Sequence, residues 1–105
     1  MTIATCGHLR NPRTVTAHSV GCEECEKSGD WWVHLRICLT CGHVGCCDDS
    51  PNRHATGHAS VTEHPAIASF EPGEQWAYCY PDDQFFKRLS PGFQIVRISA
   101  GTGRS

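Results

Sequence analysis

The sequence has no basic excess. Across its 105 residues Lys and Arg total 9 against 11 Asp and Glu, a formal charge of −2. Nucleic-acid proteins usually show a basic patch or stripe, so this balance argues against that class. Long apolar runs are missing too: no stretch approaches the roughly 20 apolar residues of a membrane helix. The start, Met1-Thr-Ile-Ala-Thr-Cys6-Gly-His8, contains no apolar segment of signal-peptide length. The expectation is therefore a cytoplasmic chain without a membrane or nucleic-acid partner, in a compartment where thiols stay reduced. No Ser-His-Asp arrangement, phosphate-binding Gly loop or His-Glu-x-x-His motif appears. Apolar residues make up only 39%. A chain this short buries a limited core, and the low fraction implies a covalent or metal staple.

Against these absences stand eight Cys and seven His. Cys22-Glu-Glu-Cys25 and Cys38-Leu-Thr-Cys41 are two Cys-x-x-Cys pairs, a spacing that lets both sulfurs converge on one ion at about 2.3 Å. One such pair also occurs in redox motifs; two pairs with downstream His point to zinc. Cys46 and then His54, His58 and His64 follow. Cys6-Gly-His8 adds a mixed pair near the start, and Cys79-Tyr-Pro-Asp82 a thiol and a carboxylate near the end. These twelve candidate ligands suffice for three closed tetrahedral sites, giving an expectation of two to three Zn2+ per chain. Spacing alone does not pair them. His54 and His58 are four apart and face one way on a helix, so they either share a metal or serve separate ions. Asp82 reads equally as a ligand or an exposed turn residue. His18, His34, His43 and Cys47 are left over, with buried or solvent-facing roles.

The elements expected are short. Residues 1–30 look loop-rich, with Asn11-Pro12, Gly21 and Ser28-Gly29-Asp30 as breakers. Trp31–Ile37 reads as a strand with Trp31, Val33, Leu35 and Ile37 on one face and His34 and Arg36 on the other. Ser50 as N-cap and Pro51 at the first position start a helix running through Ala59. Ala66–Phe70, Trp76–Cys79 and Phe93–Ile98 read as strands, and Gln84–Leu89 as one or two helical turns. Trp31, Trp32 and Trp76 read as cover over a thin core. The whole is an α+β fold: a small antiparallel sheet with one or two short helices, zinc-stabilised, in one domain spanning 1–105. Its motif region covers about 6–82, and 83–105 is an extension ending in a frayed tail.

Cys-x-His, Cys-x-x-Cys, Cys-Leu-x-Cys-Gly, a further Cys, three spaced His and a Trp-rich Cys segment together resemble the ubiquitin-specific-protease-type (UBP) zinc finger. The resemblance runs from Cys6 to about Asp82 and is closest to small stand-alone bacterial members. It implies crossed ligand sets: Cys22, Cys25, Cys46 and His54 for one zinc, and Cys38, Cys41, His58 and His64 for a second. Cys6, His8 and Cys79 would hold a third, with Asp82 where the family usually has a Cys. It also implies a known activity, capture of ubiquitin's free C-terminal tail. Ubiquitin-binding members carry an Arg where this chain has Asp48, and a Trp where it has Arg36. The scaffold is kept and key parts of that reader are lost. Arg36 or Arg53, with Trp76 and Tyr78 as an aromatic wall, offers contacts for a carboxylate or acidic peptide of another partner.

Two function classes follow. One is a non-catalytic protein-interaction module that takes a protein or peptide tail. The other is a zinc hydrolase or thiol redox protein, using an incomplete third site or Cys47, the one obvious reactive thiol. Closed Cys/His shells are typically structural, which favours the first class.

Overall fold

The computed structural model describes residues 14–88 and 93–97. In chain order these form β1 (Thr14–Thr16), α1 (Glu23–Ser28), β2 (Leu35–Cys38), β3 (Val44–Cys46), α2 (His54–Thr62), β4 (Ala66–Ser69), β5 (Ala77–Cys79), β6 (Gln84–Phe86) and β7 (Gln94–Val96). Five strands make an antiparallel sheet in the order β3-β2-β4-β5-β6, and β1 pairs with β7 in parallel as a separate ribbon. Two helices with an antiparallel sheet match the α+β expectation.

The sheet's centre is set by apolar residues that alternate. Leu35 and Ile37 of β2 are buried, opposite Cys46 and Val44 of β3. The β2–β3 connection is also the Cys38–Cys41 turn. Cys38 donates its amide to the His43 carbonyl at 2.8 Å, and Gly42 donates back to the Cys38 carbonyl at 3.0 Å. Gly42 sits at φ 93, and a Cβ there would stand 2.0 Å from the Thr16 carbonyl oxygen. Only glycine fits the left-handed turn and the close approach of β1 at once. Gly45 has a packing role instead: a Cβ there would lie 2.7 Å from the Ala55 amide, so its absence lets α2 lie against β3.

Several expected elements differ, each for a physical reason. The strand begins at Leu35 rather than Trp31. The Val33 amide donates to Ser50 Oγ at 2.8 Å instead of to a neighbouring strand, and Trp31 is 64% exposed. Trp31 is thus no core cover, whereas Trp32 does pack against the core. Ser50 is correspondingly no N-cap. The helix starts at His54, after Arg53 in the left-handed region (φ 47, ψ 50), with no side-chain cap from that residue. Its first amide is taken by Cys46 Sγ at 3.2 Å, so a metal-ligand candidate does the capping. Gln84–Phe86 is a strand where helical turns were expected. A turn through Asp83 (φ 51) folds it back on β5, with Cys79 opposite Gln84 and Ala77 opposite Phe86. Residues before Asp30 also hold more order than expected, namely β1 and α1.

Cysteine contributes to the core directly. Cys22, Cys25, Cys46 and Cys79 are fully buried among Val15, Leu35, Ile37, Val44 and Phe70. By contrast α2 buries only Ala55. Its sequence HATGHASVT has weak helix formers and no apolar stripe. Something other than hydrophobic burial must hold it in place.

Candidate metal centres

Two sets of side chains converge. Cys22, Cys25, Cys46 and His54 form the first, and Cys38, Cys41, His58 and His64 the second; within each set the ligand atoms lie within 4.8 Å of one another. Cys22 and Cys25 come from the start of α1, Cys46 from the end of β3 and His54 from the first residue of α2. In the second set the last residue of β2 supplies Cys38, the turn after it Cys41, α2 supplies His58, and the segment before β4 supplies His64. The two α2 histidines therefore serve different sets, which settles what their spacing left open. This double attachment is what holds a helix that lacks an apolar face.

The distances can be tested against zinc. Zn–S bonds of about 2.3 Å and Zn–N bonds of about 2.0–2.1 Å in a tetrahedron require edges of about 3.8 Å for S–S, about 3.5 Å for S–N and about 3.4 Å for N–N. In the first set Cys25 and Cys46 sulfurs are 3.9 Å apart, and His54 Nδ1 lies 3.2, 3.4 and 3.5 Å from Cys22, Cys25 and Cys46. In the second, Cys38 to His64 Nδ1 and Cys41 to His58 Nε2 are both 3.4 Å, and the two ring nitrogens are 3.3 Å apart. Both sets fit zinc. The seven described cysteines are all free thiols, so no disulfide competes among them.

Electrostatics agree. Burial pushes the Cys22 thiol up to about 12 and raises Cys25 and Cys41 as well. Thiols in such surroundings keep their protons unless a cation replaces them. Backbone and amide donors are already aimed at the sulfurs. The Cys25 amide points to Cys22 at 3.5 Å, the Thr40 amide to Cys38 at 3.4 Å, and Asn52 Nδ2 to Cys25 at 3.9 Å. Burial, followed by the neighbouring His43 and His64, lowers His58, which keeps a ring lone pair available to a metal.

A supporting layer escaped sequence reasoning. His43, expected only to be buried or exposed, is buried and stacks on His58 with ring centroids 3.9 Å apart and planes 2° from parallel. Its Nε2 bonds the Glu24 carboxylate at 2.8 Å. Burial raises Glu24, but the His43 contact outweighs it and the carboxyl ends lower than usual. Glu23 accepts the Val44 amide at 3.0 Å. The two acids between Cys22 and Cys25 thus tie the helix of one set to the turn of the other. Glu-Glu inside a Cys-x-x-Cys was visible in the sequence; its partners, some twenty residues away, were not.

The remaining candidates are placed in part. Cys79 Sγ lies 3.7 Å from Asp82 Oδ2, while Cys6 and His8 fall outside the described residues. Cys47 is buried, close to Ser50 Oγ at 3.5 Å. Burial raises this thiol, but the Ser50 contact, backbone donors and Arg36 together bring it below its ordinary value.

Beside the metal centres lies a groove of about 430 Å³ between α2, the sheet and the Cys47–Asp49 turn. Arg36, Asp48, Trp76, Tyr78, Tyr80 and Phe85 are among its walls, and the Arg36 guanidinium rests 4.4 Å above the Trp76 ring. Arg53 is not among its lining residues.

A small antiparallel sheet with two helices, pinned by two crossed Cys/His sets, defines a zinc finger. The family model described as "Zn-finger in ubiquitin-hydrolases and other protein" matches residues 22–91, and the chain belongs to that family. Mouse ubiquitin carboxyl-terminal hydrolase 16 is 33% identical over 91 residues, 79% of this chain but 10% of that protein. Human BRCA1-associated protein is 31% identical over 88 residues, 84% of this chain and 13% of its own length. The chain thus matches only a small part of these curated relatives. The solution NMR structure of protein RPA1320 from Rhodopseudomonas palustris is 51% identical, covers 94% of this chain and all of its own, and superposes with a TM-score of 0.74.

Proposed function

We propose that this zinc finger is a non-catalytic, cytoplasmic protein-interaction module whose groove receives a segment of a partner, and that it has no useful affinity for ubiquitin's free C-terminal tail. The observation that carries the reading is the groove itself, walled by aromatic side chains and seated on the metal-pinned α2 and sheet. Concave, largely apolar sites with a few polar groups are where ligands dock. Among the described residues no helix is long and apolar enough to cross a membrane, which is compatible with this role.

Asp48 supports the second half of the proposal. A tail carboxylate needs donors, and an acid at this wall repels it. Losing one charge-assisted contact costs about 1.5–3 kcal/mol, and together with the repulsion from Asp48 and the flat apolar surface lost at Arg36 this takes micromolar binding to roughly millimolar. NMR titration of labelled ubiquitin is the test. Shifts confined to its last residues and saturating in the micromolar range would overturn the proposal; the expected result is none.

We also propose a third zinc, held by Cys79 and Asp82 with Cys6 and His8. The Sγ–Oδ2 separation of 3.7 Å favours it, since carboxylate oxygen ligates zinc at about 2.0–2.2 Å. Elemental analysis should find close to three zinc per chain, falling by about one in Asp82→Ala. An unchanged count in the variant removes Asp82 from the ligands.

A further inference from the structure

We propose that the groove is built for a cation: a lysine or arginine side chain from a basic segment of a partner protein, its charged end at Asp48 and Asp49 and its stem along the aromatic walls. This rests on the groove reading above and deepens it by assigning the sign of the ligand.

Each hydroxyl carries one donor hydrogen and two acceptor lone pairs. Thr56 spends its hydrogen on Asp48 Oδ1 at 2.5 Å. Tyr80 and Thr56 hydroxyls are 3.1 Å apart, and with the Thr56 hydrogen committed, Tyr80 must be the donor in that pair. Tyr78 donates its hydrogen to Asp83. The Trp76 indole N–H points to Glu74 at 3.3 Å. Every hydroxyl and indole donor named here is directed at a group of the protein itself. Arg36 apart, what these walls still offer an incoming group is carboxylate oxygen, hydroxyl lone pairs and the faces of aromatic rings. All three attract a cation, and none suits a carboxylate.

The tyrosines register the same field. The hydrogen bond to Asp83 and burial hold Tyr78 up at about 12, with Asp48 adding to the effect. Burial raises Tyr80, and Asp48 again contributes in the same direction.

Arg36 is the counterweight. Among the described residues lining the groove it is the one cation, facing two carboxylates, Asp48 and Asp49. One of its N–H groups is bonded to the Leu35 carbonyl at 2.9 Å, and its guanidinium lies on Trp76. It already occupies the kind of place assigned to the ligand, so it competes with an incoming cation. The opposite reading, a groove for an acidic tail, makes Arg36 the anchor. The two readings therefore predict opposite signs for the same substitution.

The test is a 15N NMR titration of the zinc-loaded chain with capped peptides at millimolar concentration: acetyl-Gly-Gly-Lys-Gly-Gly-amide, the same peptide with Glu for Lys, and acetylated pentaglycine with a free carboxylate. The lysine peptide should shift the Trp76 indole and the Ala55 and Thr56 amides saturably, and the other two should not. Asp48→Asn should weaken that binding about two- to fivefold, and Arg36→Gln should strengthen it by a similar factor. Both residues lie on the groove wall, and unchanged zinc content and near-UV circular dichroism would confirm that the variants are folded. Preferential binding of the carboxylate peptide, with loss in Arg36→Gln, overturns the cation assignment while the groove reading stands. Triglycine amide with a free amino group is the fourth probe, and its binding without binding of the lysine peptide overturns the assignment to a side chain. No shift with any peptide of either charge overturns the cation assignment and the groove reading together.

Discussion

Replacing Cys25 with alanine should unfold this chain, whereas replacing Cys47 should not. The two thiols are similarly buried, at 0% and 4% exposure, so a purely apolar account of the core predicts similar losses. Their surroundings differ. Cys25 Sγ stands 3.4 Å from His54 Nδ1 and 3.9 Å from Cys46 Sγ, inside the first ligand set. Structural zinc contributes about 10–16 kcal/mol of apparent free energy in small domains at neutral pH. Net domain stability is about 5–15 kcal/mol. Loss of one zinc therefore matches or exceeds the usual margin. The fold also lacks a substitute, because α2 buries a single alanine and is attached chiefly through His54 and His58. Cys47 belongs to neither ligand set, its sulfur meeting Ser50 Oγ and backbone donors, and its loss should cost about 1–2 kcal/mol, as expected for a small buried truncation. Zinc content by elemental analysis, near-UV circular dichroism and urea midpoints separate the cases. A Cys25→Ala protein with native near-UV signal and full zinc would refute the reasoning. So would a Cys47→Ala protein as damaged as Cys25→Ala.

Three further outcomes are expected. Glu24→Gln or His43→Ala removes support from His58 and should weaken zinc retention by the second set about 10- to 100-fold against a chromophoric chelator, with a smaller effect on the first set. Acidification should release zinc. His58 is lowered in the fold while an unfolded histidine binds a proton near 6.5, so below that pH the unfolded chain holds more protons and stability falls as pH falls. Reloading zinc into chelator-unfolded protein at neutral pH should release roughly five protons for these two sets, three from the first and two from the second, read by calorimetry in buffers of different ionisation enthalpy.

The metal chemistry was legible in one dimension because zinc ligation depends on residue type and short spacing. Cys22–Cys25 and Cys38–Cys41 announce themselves, and a β-rich domain too poor in apolar residues for a large core needs what they supply. The β4 and β5 strands were likewise near their expected places, since Ala66–Ser69 and Ala77–Cys79 are bounded by local breakers. The elements that departed did so where a distant partner intervened. Ser50 looks like an N-cap by local chemistry, but the Val33 amide, 17 residues away, claims its hydroxyl. Gln84–Phe86 looks helical alone and becomes a strand because β5 offers it an edge.

What the sequence by itself determined is the staple: which residues are able to bind metal, and that a chain of this composition relies on it. Only the tertiary structure decided how that staple is wired. His54 and His58, one turn apart, go to different ligand sets because Cys46 approaches the first turn of α2 and Cys41 the second. The same folding stacks His43 on His58 and turns the hydrogens of Thr56 and Tyr78 toward Asp48 and Asp83. The physical reason is range. Ligand type and Cys-x-x-Cys geometry are properties of three or four neighbouring residues, whereas second-layer contacts and the sign of a groove depend on side chains that meet only after the strands pair.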